Sequence, residues 1–125
     1  MNTESDQLRE DAAEHAEWFV RNRQWKTEAG AIRALARKHP EESPQECSAA
    51  FAEGVRLYHA AMAFINENAD TLWERWNAVP PSNSKSAASI DVSDLADQLA
   101  QRVPGFPRTT YETMLAGLFF WWHVK

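Results

Sequence analysis

The chain has little cysteine, little glycine and few strand-forming residues. Cys47 stands alone, so no disulfide can close within the chain, and a stapled secreted module is excluded. There are only 4 Gly against 6 Trp. No two glycines lie closer than Gly105 and Gly117, so no Gly-rich loop can cradle phosphates, which argues against a nucleotide enzyme. Val and Ile are scarce and Ala is common. Strands favour the first two and helices the third. No apolar run approaches the roughly 20 residues that a membrane span requires. Met1 to Asp6 offers neither a basic nor an apolar segment, so no signal peptide is expected and the default location is the cytoplasm.

The 125 residues have the usual size of one domain. The net charge of −5 argues against a duplex DNA partner and an anionic membrane surface. The expected fold is an all-α, single-domain bundle of five to six helices. An N-terminal block over 1–78 is followed by a mobile Pro/Ser-rich linker over 79–89. A C-terminal helix pair over 90–125 is too short to hold a core alone, so it is expected to pack on the first block.

Apolar spacing and capping residues place the helices. Leu8, Ala12, His15, Ala16 and Phe19 recur at helical intervals, predicting a first helix from Ser5 to Asn22. Thr27 is the candidate N-cap of a second helix, with Ile32, Leu35, Ala36 and His39 as its stripe. Ser43-Pro44-Gln45-Glu46 is a capping box with proline at the first helical position. It opens the helix expected at the centre, whose stripe runs Cys47, Ala50, Phe51, Gly54, Tyr58, Ala61, Met62 and Ile65. Cys47, Gly54 and Ala61 are spaced by sevens, and such small side chains on one line admit a second helix at close range. Asn68 to Asp70 should interrupt it before a short turn from Thr71 to Asn77. Asp91 or Ser93 caps the next helix, with Val92, Leu95, Ala96, Leu99 and Val103 on one face. Pro104 to Pro107 ends it. Thr109-Thr110-Tyr111-Glu112 reads as a second capping box, and the last helix continues nearly to Lys125.

That last helix is apolar all round. One face holds Tyr111, Met114, Leu115, Leu118, Phe119 and Trp122; the other holds Thr113, Ala116, Gly117, Phe120 and Val124, with Trp121 beside them. A helix of this kind is either enclosed or meets a partner. Four large rings at Phe119 to Trp122 cannot all face one core, and tryptophan is enriched at binding hot spots. Trp73, Trp76, Phe120, Trp121 and Trp122 are therefore the candidate partner-binding residues. The partner would be another protein or a second copy, giving a homodimer.

No catalytic constellation is visible, so the chain is read as a non-enzyme, with no cofactor and no metal expected. Asp11 and His15, four residues apart, could face one ion, but none of His15, His39, His59 and His123 has a glutamate three residues before it. His15 and His59 are expected as half-buried helix residues. Cys47 is expected in the core as a small hydrophobe.

Charge is uneven. Arg21, Arg23, Lys26, Arg33, Arg37 and Lys38 face Glu28 alone between Arg21 and His39, whereas Pro40 to Trp76 holds seven carboxylates against Arg56 and Arg75. The six cations form a candidate patch for nucleic acid or an acidic partner; the alternative is a solvated face with local salt bridges. Size, acidity and the missing catalytic groups suit an interaction or regulatory module: an adaptor, an antitoxin-like inhibitor or an immunity-type protein. Two rival readings remain. One is a DNA-associated regulator with a helix-turn-helix over Ile32 to Phe51 or Asp91 to Gly117, the turn of the second flanked by Arg102 and Arg108. The other is a small-molecule binder with an aromatic-walled pocket.

Overall fold

A computed structural model describes residues 3–80 and 90–124. Six α-helices and no strand occur among the described residues: α1 Thr3–Glu17, α2 Glu28–Lys38, α3 Pro44–Glu67, α4 Ala69–Ala78, α5 Ser93–Arg102 and α6 Arg108–Phe119. The fold is all-α, as the composition implies. Most of the stretch read as a mobile linker, residues 81–89, lies outside the described residues.

The helix starts follow their caps. Thr27 is extended, and its hydroxyl accepts from the Gly30 N–H. The Ser43 hydroxyl accepts from the Glu46 N–H at 3.1 Å and donates to the Glu46 carboxylate at 3.1 Å, which ties Glu46 into the first turn. At α5 the cap comes from Asp91, whose carboxylate accepts from the Ser93 N–H at 2.9 Å. The box read at Thr109 is not the start of α6. The helix begins at Arg108, directly after Pro107, and Glu112 lies 3.4 Å from Arg108, one turn back. The interruption at Asn68 is slight. Its amide donates to the Phe64 carbonyl at 2.9 Å, and α4 is a full helix of 10 residues rather than a single turn.

Two helices end in a wider π turn that the pattern did not foretell: Trp18–Asn22 after α1 and Phe120–Val124 after α6. The first closes on Arg23, which has φ 54 and donates its N–H to the Trp18 carbonyl. A π turn advances each residue less around the axis than an α turn does, so side chains past it leave the face they would have continued.

The chain divides into two compact units, one of Met1–Tyr58 with Gly105–Pro107, the other of His59–Pro104 with Arg108–Lys125; α3 contributes to both. In the first unit, small side chains make the core. Leu8, Ala12, Ala16, Ala31, Leu35, Cys47, Ala50 and Phe51 are buried together. At Gly54 an added Cβ would sit 2.7 Å from the Ala12 carbonyl oxygen and 3.1 Å from the Ala13 Cα. The helix admitted by the small residues of α3 is therefore α1, and glycine is required because backbone occupies the space of a side chain. In the second unit the side chains are large. Phe64, Ile65, Leu72, Leu99, Leu115, Leu118 and Phe119 are fully buried, with Val92, Leu95, Ala96 and Val103 buried along α5 as the spacing predicts. The Tyr111 hydroxyl donates to the Val103 carbonyl at 2.6 Å, so the buried phenol keeps a partner.

Candidate interaction surface

Helix α6 divides its rings between core and solvent. Tyr111, Met114, Leu115, Leu118 and Phe119 are buried, but Trp121 is 50% and Trp122 53% exposed. The α-helical period groups Trp122 with Tyr111, Met114, Leu115, Leu118 and Phe119, yet of these Trp122 alone is exposed. The π turn explains the difference: it carries Trp122 off that face, and His123 stacks on Phe119 at 5.5 Å and 22° instead.

The other three candidate rings are half-buried and lie beside the same turn. Trp73 meets Phe119 edge-on at 5.4 Å, and Trp76 meets Phe120 at 5.8 Å. These are favourable aromatic geometries. Trp73 and Trp76 thus pack on the rings at the end of α6, and Trp121 and Trp122, the next residues of the chain, are exposed. Earlier on α6, a groove of about 370 Å³ is lined by Ile90, Val92, Ala116 and Gly117 together with Asp91, Glu112 and Thr113. It has no aromatic wall, unlike the pocket expected for a small-molecule binder.

The cationic residues are not one patch of six. Arg21 leaves the set: it pairs with Glu17 at 2.8 Å, and its side chain is only 12% exposed. Arg23, Lys26, Arg33, Arg37 and Lys38 are all exposed. Arg102 and Arg108, the flanking cations of the DNA reading, are held by carboxylates. Arg102 grips Glu67 through two bonds of 2.9 Å and covers the Phe64 ring at 4.7 Å. Arg108 bonds Asp97 and the Ser93 carbonyl. Guanidiniums spent in this way are poorly placed to neutralise phosphates.

The histidines take positions that spacing did not show. His15 and Asp11 do not converge on an ion. The His15 Nδ1–H donates to the Asp11 carbonyl at 2.9 Å, and the ring stacks on Trp25 at 5.2 Å and 10°, with Trp18 at 5.5 Å. The Asp11 carboxylate turns instead to His39, accepting from Nε2 at 2.7 Å; Glu41 stands 3.6 Å from the other ring nitrogen. Burial holds the His15 imidazole below its ordinary pKa; the bond to the Asp11 carbonyl opposes this, and Lys38 adds to it. His15 is buried and His59 is exposed, so neither is half-buried as expected. No group of three or more His, Cys, Asp or Glu among the described residues could hold a metal ion. Cys47 is fully buried, and burial, with Glu42, Glu46 and Glu41 nearby, pushes its thiol pKa up. A raised thiol pKa disfavours the nucleophilic thiolate.

Among the described residues, no helix is long and apolar enough to cross a membrane. No protein-family model matches the chain, and neither a curated protein nor a solved structure is significantly similar to it.

Proposed function

We propose that this protein is a non-enzymatic interaction module that associates through the Trp121–Trp122 end of α6. One observation supports the reading above all: two adjacent indoles are half exposed while Phe119, on the preceding turn, is fully buried. Each indole presents a large, half-exposed apolar surface. Covering such area is favourable by roughly 25 cal/mol per Å², and tryptophan anchors of this kind dominate binding energy at interfaces. The polar chemistry points the same way. The thiol is buried, and three histidines are engaged with rings or carboxylates.

The occupant we favour is a second copy. A two-fold contact uses the same patch twice, so two indoles per chain place four in the interface. The test is molar mass by light scattering on a sizing column, for the wild type, Trp121→Ala and Trp122→Ala. The reading predicts a wild-type mass near twice 14.2 kDa and a fall toward the monomer in each variant, with helical circular dichroism unchanged. A wild type that stays monomeric at every concentration contradicts self-association. Variants that stay associated, or that simply unfold, remove these residues from the interface.

A further inference from the structure

The two units treat their cations differently. In the second, each described arginine lies on a carboxylate: Arg75 on Asp94, Arg102 on Glu67 and Arg108 on Asp97. In the first, Arg21 pairs with Glu17 and Arg56 with Glu53. Among the described residues, no carboxylate lies within ion-pair distance of Arg23, Lys26, Arg33, Arg37 or Lys38. The local salt bridges that would make this stretch an ordinary solvated face are missing. Five exposed cations fall between Arg23 and Lys38 in a chain whose net charge is −5.

Their placement has an order. Helix α2 buries Ala31 and Leu35, and its period sets Arg33 and Arg37 on the opposite side, one turn and about 6 Å apart. The Arg33 guanidinium reaches back beside Gly30, where a Cβ would lie 3.9 Å from it. Arg37 and Lys38 favour the negative end of the helix dipole. Arg23, Lys26 and Arg33 have no such role, and unpaired like charges weaken a helix slightly.

We infer that the exposed cations from Arg23 to Lys38, with Arg33 and Arg37 at their centre, form a docking surface for a carboxylate-rich segment of a partner protein. Three of the five cations are arginines, whose planar fork takes a carboxylate through two parallel bonds. Half-buried Ile32 and Ala36 lie beside them on α2, giving the apolar side of an acidic amphipathic segment something to rest on. A nucleic acid fits less well. A polyanion longer than the patch would run on against a chain with 18 acidic residues, whereas a short acidic segment meets only the cations. The inference is independent of the Trp121–Trp122 surface.

The test is fluorescence anisotropy at low salt, with a labelled peptide of alternating Glu and Leu and, in parallel, a labelled random DNA duplex. The inference predicts saturable peptide binding that salt weakens. It predicts a loss of about tenfold or more in Arg33→Glu/Arg37→Glu and in Arg23→Glu/Lys26→Glu, since reversing a rim charge turns attraction into repulsion. Arg56→Glu, an exposed charge reversal elsewhere on the first unit, is predicted to leave binding nearly unchanged, as is Trp122→Ala. No peptide binding at low salt overturns the inference. So does an equal loss in Arg56→Glu, which would reduce the effect to net charge. Tighter binding of the duplex than of the peptide transfers the patch to nucleic acid and also overturns it.

Discussion

In the first unit, α1 approaches α3 so closely that Gly54 faces the Ala12 backbone, and Ala12, Ala16 and Ala50 are buried beside it. In the second, the core is made of Leu, Phe, Ile and Met side chains, and arginine–carboxylate pairs surround it. The first is therefore sensitive to added volume and the second to lost volume. The first exposes cations on its surface; the second exposes indoles.

The largest effect is common to both units and comes from removing a ring from each core. Phe51→Ala and Phe119→Ala each delete a fully buried side chain and are expected to cost about 3–5 kcal/mol in thermal or urea unfolding. A cost below about 1 kcal/mol at either site would mean that the ring is not part of a packed core. The sharper test makes one substitution in both units. Gly54→Ala drives a Cβ into the Ala12 backbone and should destabilise by about 1–3 kcal/mol. Gly117→Ala meets nothing within 4 Å and should stabilise by about 0.5–1 kcal/mol through helix propensity. Equal signs at the two sites would break the contrast.

Acid should separate the units as well. The folded pKa of His15 is lowered from 6.5 by burial, so the unfolded chain takes up the proton first. The stability it confers is complete above pH 6.5 and is lost as pH falls through the folded value. In the second unit the depressed groups are carboxylates. Bonding to Arg75 holds Asp94 at about 2, down from 3.8, so its share persists to about pH 4 and is lost only below that. Amide hydrogen exchange followed by NMR from pH 7 to 4 should show the first unit weakening before the second. His15→Phe keeps a ring against Trp25 and should flatten the first unit's response. It also isolates the His15 share from that of Glu17, whose pKa burial raises. A response that His15→Phe leaves unchanged would assign it to another group. The smallest effect is expected at Arg102→Ala. Its pair with Glu67 is about half exposed, and solvent screens such pairs so that they contribute little.

Much of the fold was legible in local chemistry. Thr27 and the Ser43–Glu46 box act as caps because their hydroxyls and carboxylate sit within one turn of the orphan N–H groups. Close approach at Gly54 followed from small residues at intervals of seven. What failed depended on distance in sequence or on a change of helical pitch. The bond between Asp11 and His39 joins residues 28 apart, and no spacing rule reaches that far. Trp122 was placed by an α-helical period that the π turn at Phe120–Val124 ends. Arg21 and Arg33 look alike in sequence, yet Glu17 lies one turn before Arg21, whereas the residue one turn before Arg33 is Ala29. That pairing was available in the sequence, and it separates a structural cation from an exposed one.

The central claim is that Trp121 and Trp122 belong to an interface rather than to the core. The most direct measurement is the thermal midpoint of the wild type and of Trp121→Ala/Trp122→Ala over a wide range of protein concentration. Association stabilises by mass action. The account predicts a wild-type midpoint that rises with concentration and a variant midpoint that does not, the two meeting at high dilution. A wild-type midpoint independent of concentration, or a variant that melts lower at every dilution, would contradict it.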